Sequence, residues 1–163
     1  MFLGLESGDQ EVLNNIKKRT TLDQIREKMR LLKDAGIEVR GSFVLGLPGE
    51  TPEKARKTID FAIEVEPDYA QFTLATPFPG TELYKTYEKW GRMEKKYESF
   101  NIWSPVFVPF GYRSTEELSK IHREAFRRFY FRPKYIIGRL RKLRSLRELK
   151  RYIVGLRMVV GFA

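Results

Sequence analysis

The sequence predicts an α/β fold: an incomplete parallel (β/α) half-barrel of three strand–helix units, followed by C-terminal α-helices. Three observations carry this. Short apolar strands alternate with amphipathic helices over residues 1–90, which implies parallel pairing with crossover helices. Each strand runs into a turn rich in glycine, proline or capping residues. Three units cannot close an eight-stranded barrel, which needs about 250 residues. The expected organisation is a partial barrel over 1–90, an irregular connection over 91–113 and a basic helical extension over 114–163.

The first strand is expected over residues 2–6, followed by the turn Ser7-Gly8-Asp9 and a helix over 10–18 with Val12, Leu13 and Ile16 at helical spacing. Thr21 and Gln24 have the spacing of a capping box. The helix they open carries Leu22, Ile25, Met29 and Leu32 on one face and ends at Ala35-Gly36. A second strand over 39–45 leads into Gly46-Leu47-Pro48-Gly49. Thr51 then caps a helix whose first residue is Pro52, where a missing N–H costs nothing. The third strand, 69–76, alternates Phe72 and Leu74 with Gln71 and Thr73, and Pro77-Phe78-Pro79-Gly80 precedes a helix over about 81–89. Residues 90–112 read as a packed irregular loop. Ser114 and Glu117 suggest a second capping box for a helix to about 131, Pro133 breaks it, and helices are expected over 134–143 and 146–159. The outer edge of the first strand is expected to be bare unless another segment or chain covers it.

Composition narrows the chemistry. The 163 residues include 42% hydrophobic and 13% aromatic side chains, enough for a folded core. There is no cysteine, so the chain makes no disulfide and supplies no thiolate to a metal, and one histidine, His122, does not make a metal site by itself. His122, flanked by Arg123 and Arg127, reads as a surface residue. The N-terminal residues lack the basic start and apolar run of a secretory signal, and no apolar run approaches the roughly 20 residues of a membrane span. A cytoplasmic setting is expected.

The net charge of +10 resides in the tail. Residues 132–163 hold ten Lys and Arg against one acid, Glu148. Interleaved with Ile136, Ile137, Leu140 and later apolar residues, these bases form amphipathic helices suited to an anionic membrane surface or an acidic lipid-like substrate. Packing of the apolar stripe on the barrel, with solvated arginines, is an equal alternative. Nucleic acid is disfavoured because no binding module accompanies the charge.

Three segments together resemble the radical S-adenosylmethionine enzymes, and more narrowly their cobalamin-binding branch, similar to the anaerobic magnesium-protoporphyrin ester cyclases. They are Gly4-Leu5-Glu6-Ser7-Gly8, Gly41-Ser42-Phe43-Val44-Leu45-Gly46-Leu47-Pro48-Gly49-Glu50-Thr51 and Thr76-Pro77-Phe78-Pro79-Gly80-Thr81-Glu82-Leu83-Tyr84. The resemblance implies strands four to six of a partial barrel and a site for S-adenosylmethionine. It assigns Glu6 to the ribose hydroxyls, with Ser7 beside it. Lys18 falls to the methionine carboxylate, with Arg19 the alternative if the register slips by one. Strand alternation puts Arg40 and Ser42 on one face, expected toward the barrel interior and within reach of cofactor or substrate, and Gly46, Pro48 and Gly49 would allow close backbone approach to the adenine. Each also has a plain reading: a capping turn for Glu6-Ser7, a helix terminus for Lys18 and Arg19, a tight turn for residues 46–49.

In that family three cysteines spaced C-x3-C-x2-C hold a [4Fe–4S] cluster, and a cobalamin domain comes earlier still. Neither occurs in this sequence. The expectation is a C-terminal fragment or subunit, inactive alone, that completes a site with a cysteine-bearing N-terminal half in an enzyme of radical C–H activation, methyl transfer or ring formation. The alternative is a non-catalytic basic adaptor that binds a membrane surface or a protein partner.

Overall fold

The computed structural model describes residues 1–94 and 100–142. Three strands, β1 (Phe2–Glu6), β2 (Arg40–Leu45) and β3 (Tyr69–Leu74), form one sheet in that order, and both pairings are parallel. The connections are helical. Helices α1 (Gln10–Asn15) and α2 (Leu22–Asp34) join β1 to β2, and α3 (Pro52–Val65) joins β2 to β3. Three parallel strands with their helices, plus helices at the C-terminal end, are the expected architecture.

Local chemistry explains each helix start. Asp9 is the N-cap of α1, its side chain accepting from the N–H of Glu11 and Val12. Thr21 and Gln24 make the full reciprocal box at the start of α2. Thr51 accepts from Lys54 N–H, with Pro52 as the first helical residue of α3. At the other end, Asp68 accepts from the Val39 N–H at 2.9 Å and so ties the entry of β2 to that of β3.

The two faces of the sheet differ sharply. Leu5, Phe43, Leu45, Phe72 and Leu74 are buried, and the Phe43 and Phe72 rings stack with centroids 5.5 Å apart. The opposite face carries Gly4, Arg40, Ser42, Val44, Tyr69 and Gln71, all half-buried or exposed. This is strand alternation with one apolar and one polar side. A polar face lets a barrel interior hold a ligand.

The region expected to be an irregular loop is partly regular. After α4 (Glu82–Thr86) and a 3₁₀ turn (Tyr87–Lys89), β4 (Gly91–Met93) pairs antiparallel with β5 (Phe107–Pro109). Strands of three residues carry too little alternation to stand out, and Pro105, Pro109 and Gly111 disguise them as loop. Helix α5 (Thr115–Tyr130) follows. Ser114 accepts from Glu117 N–H, whereas the Glu117 carboxylate takes the N–H of Arg113 rather than that of Ser114. His122 is 4% exposed and its Nε2 lies 2.9 Å from the Phe72 carbonyl oxygen. It is therefore a core residue, a correction to its reading from flanking arginines: those occupy other faces of the same helix.

The structure divides into two compact units, Met1–His122 and Arg123–Ala163. In the second, α6 (Pro133–Lys142) begins at Pro133, which serves as a helix start. The guanidinium of Arg132 lies over the ring of Phe129 at 4.5 Å and that of Arg139 over Tyr135 at 5.4 Å. The helix expected over 146–159 lies outside the described residues.

Candidate functional site

The polar face of the sheet culminates at the C-terminal end of β1. There the β1–β2 register shifts between Gly4 and Glu6, and Glu6 adopts a left-handed backbone (φ 63°) with Ser7 N–H donating back to the Leu5 carbonyl. A non-glycine residue rarely takes this conformation. Its consequence is that the Glu6 carboxylate folds back over Gly4, whose absent side chain makes the room: a Cβ there would lie 2.4 Å from Glu6 Oε1. Lys18 reaches the same spot from the end of the α1 region and donates to Glu6 Oε1 at 3.0 Å, both side chains being about a quarter to a third exposed. Lys17 and Arg19, on either side of Lys18, are also left-handed (φ 57° and 53°), so the backbone is bent on both flanks of the lysine.

Ser42 is the register partner of Gly4, and Gln71 that of Ser42, so a row of polar and small residues crosses the sheet beneath the Glu6–Lys18 pair. One row earlier, Arg40 is the partner of Tyr69, and its guanidinium lies 5.6 Å from the ring centre. The structure thus brings Glu6, Lys18 and Ser42 to one end of one face. Arg40 shares that face but at the opposite end of β2. Arg19 is exposed.

Ser7 does not join them. It is fully buried, its hydroxyl shared with Thr58 of α3 at 3.1 Å and accepting from Asp9 N–H. Gly46 and Gly49 have left-handed backbones (φ 79° and 76°), as a tight strand-to-helix turn demands. The close approaches they permit come from within the chain. A Cβ on Gly46 would meet Leu118 at 3.1 Å, and one on Gly49 would meet the Asn15 amide at 2.4 Å. Asn15 donates to the Pro48 carbonyl at 3.0 Å, so Pro48 is held in place from α1.

Sequence reading passed over Glu50. Its side chain is 1% exposed, and its Oε1 accepts from both Gly46 N–H and the Tyr112 hydroxyl, the latter at 2.7 Å. Its Oε2 has no hydrogen-bond partner. Burial is the dominant cause that pushes the carboxyl up to about 8, against the lowering effect of the Gly46 and Tyr112 hydrogen bonds. Burial and the facing Glu50 charge also raise Tyr112 far above the ordinary phenol range. An acid one residue before a Thr-Pro cap looks like an ordinary helix-start charge, and its partner is 62 positions away.

Among the described residues no group of three or more His, Asp or Glu could hold a metal, and no helix is long and apolar enough to cross a membrane. The chain has no cysteine, so it does not fit a [4Fe–4S] cluster as a ligand source.

Residues 1–62 match the radical SAM superfamily. The chain is 35% identical over 138 residues to an uncharacterized methyltransferase of Pyrococcus horikoshii, covering 84% of this chain and 30% of that protein. It is 31% identical over 169 residues to the anaerobic magnesium-protoporphyrin IX monomethyl ester cyclase of Rubrivivax gelatinosus, covering 94% and 30% respectively. It therefore spans about 30% of the length of these curated relatives. Among solved structures, archaeal Elp3 of Methanocaldococcus infernus superposes with a TM-score of 0.59 at 25% identity, over 82% of this chain and 27% of that one. Together with the parallel strands and their helices, these matches support a member of the radical SAM superfamily.

Proposed function

We propose that the chain supplies one wall of an S-adenosylmethionine site in a radical SAM enzyme, with Glu6 and Lys18 as the contacting groups. The observation that carries this reading is the Glu6–Lys18 pair, 3.0 Å apart over the bare backbone of Gly4, at the C-terminal end of a strand on the polar face. Ligands of parallel α/β sheets bind at that end. S-adenosylmethionine presents vicinal ribose hydroxyls and a carboxylate, and an acceptor-only carboxylate beside an ammonium is the complementary set. Without ligand the two groups satisfy each other. Binding exchanges that one ion pair for Glu6 to the ribose hydroxyls and Lys18 to the ligand carboxylate, so each group keeps a hydrogen-bonding partner.

Ser42, in the row below, offers a hydroxyl to the same ligand, whereas Arg40, at the far end of β2 and over the Tyr69 ring, lies outside this set of contacts. Gly46, Pro48 and Gly49 act indirectly, by shaping the end of β2. In the intact enzyme S-adenosylmethionine supplies a 5′-deoxyadenosyl or methyl group, and the whole protein performs radical C–H activation, methyl transfer or ring formation. Cluster ligands come from a cysteine-bearing segment that this sequence does not contain, and the chain alone is inactive. The narrower assignment, to the cobalamin-dependent branch, rests on the resemblance of the three sequence segments, and cobalamin too would be held outside this chain.

The test is a titration of the full chain with S-adenosylmethionine. Binding to one wall is expected to be weak, with a Kd of about 1 mM, and Glu6→Ala or Lys18→Ala should weaken it at least about 10-fold, as loss of a hydrogen bond to a charged group implies. Wild-type affinity in both variants would remove the assignment.

A second reading concerns the second unit. In α6, Ile136, Ile137 and Leu140 are exposed in one region of the helix beside Lys134 and Arg141, which favours peripheral contact with an anionic lipid surface. This is also the feature on which the alternative of a non-catalytic adaptor rests.

A further inference from the structure

Glu50 stands outside the ligand contacts, yet it is the most deeply buried acid of the described residues and closes a chain of contacts that reaches the site. Its Oε1 binds the Gly46 N–H, the first amide after β2, and the Tyr112 hydroxyl. Behind the same turn, Gly111 packs so closely that a Cβ would lie 2.8 Å from the Thr51 side chain and 3.0 Å from the Glu50 carbonyl oxygen. Leu118 of α5 fills the space beside Gly46. Residues 107–118 therefore form the back support of the turn, and the Glu50 carboxyl is the polar joint between the two.

We propose that Glu50 and Tyr112 are positioning residues for the cofactor wall: the Glu50 carboxyl, bridging the Gly46 amide and the Tyr112 hydroxyl, fixes the β2–α3 turn and with it the C-terminal end of β2, the strand that carries Ser42. This rests on the reading of that face as an S-adenosylmethionine site.

The protonation state follows from the surroundings. Charged groups that face the carboxyl are few. Asp9, from the loop before α1, opposes its ionisation and is itself turned to Lys57 at 3.2 Å, while Lys54 of α3 favours ionisation but is engaged by Glu11 at 2.8 Å and by the Gly49 carbonyl at 3.1 Å. On the other side of the joint, Glu117 and Arg56 act on Tyr112 with opposite signs. Among the described residues no cation pairs with Glu50 directly, and its Oε2 has no hydrogen-bond partner. Burying a carboxylate in that setting costs far more than burying the neutral acid. Opening of the turn releases the carboxyl to water, where it ionises at its ordinary value. The closed turn therefore holds the proton more tightly than the open one, and closure weakens as pH rises from about 4.5 toward about 8.

Amide hydrogen exchange on the full chain reads this directly, as protection relative to the intrinsic rate. Wild-type protection at Gly46 should fall between pH 5 and pH 8, by more than about 10-fold in all. Glu50→Gln, which keeps the carbonyl acceptor and cannot ionise, should show no such slope. Tyr112→Phe should lower Gly46 protection about 5- to 10-fold at pH 6 with Phe43 in mid-strand unchanged, and should weaken S-adenosylmethionine binding several-fold. Identical pH dependence in wild type and Glu50→Gln, or unchanged Gly46 protection in Tyr112→Phe, overturns the bridge. Altered protection with unchanged ligand affinity overturns its role in positioning. Absence of S-adenosylmethionine binding by the wild type would instead remove the cofactor reading and leave the exchange result standing.

Discussion

At the residue scale the site depends on what Gly4 lacks. The carboxylate of Glu6 occupies the volume that any side chain at position 4 would claim. Gly4→Ala is expected to fold, because the clashing atom is the end of a flexible side chain, but to push Glu6 off Lys18 and weaken S-adenosylmethionine binding about 10-fold, which titration of the variant would show. Gly8→Ala is different: a Cβ there would lie 2.5 to 2.8 Å from Phe61 Cβ, the Lys57 carbonyl and Thr58 Cα, on the rigid backbone of α3. A loss of more than about 1 kcal/mol is expected in denaturant unfolding. Glu50 has a signature of its own. Its proton is retained by the fold and released by the unfolded chain, so its stabilising contribution is complete below about pH 4.5 and lost as pH rises to about 8. Unfolding free energy of the wild type relative to Glu50→Gln should therefore decline across that window, by up to about 1 kcal/mol per pH unit. A flat difference would mean that the carboxyl is ionised in the fold.

Elements with strong local rules were legible in the sequence, and elements made by distant contacts were not. The Thr21–Gln24 box and the Thr51-Pro52 start are present as read, because each is complete within four residues. Thr21→Ala should cost about 1 kcal/mol, measurable by thermal or denaturant unfolding. Alternation in β2 and β3 gave the correct faces, so Ser42 and Arg40 could be placed on the polar side. The third strand ends at Leu74, two residues before the expected Thr76, and the first helix at Asn15, short of Lys18. That early end matters: it frees Lys18 from the helix and lets its bent backbone return the ammonium to Glu6. The β4–β5 hairpin escaped notice because its strands are three residues long, and Glu50 because nothing near it announces Tyr112. Ser7 shows the opposite limit. Adjacent to Glu6 in sequence, it points into α3, since neighbouring residues at a strand end face opposite sides.

At the scale of the whole molecule, β1 is the edge of its sheet among the described residues, and the polar face it borders is partly open. An edge of this kind is a template for another strand, which is consistent with a site completed from elsewhere. If α6 meets anionic lipid, the chain should co-sediment with phosphatidylserine-containing vesicles at low salt, and Ile137→Asp with Leu140→Asp should release it. Retention by that double variant would assign the binding to other residues. The central claim, that the Glu6–Lys18 end of the polar face receives S-adenosylmethionine, is tested most directly by mapping the ligand's effect on the amide and lysine side-chain NMR signals of the full chain. The account predicts shifts concentrated at Gly4, Glu6, Lys18 and Ser42, with Ser7 and the buried face of β3 unchanged; shifts absent from Glu6 and Lys18, or centred elsewhere, would contradict it.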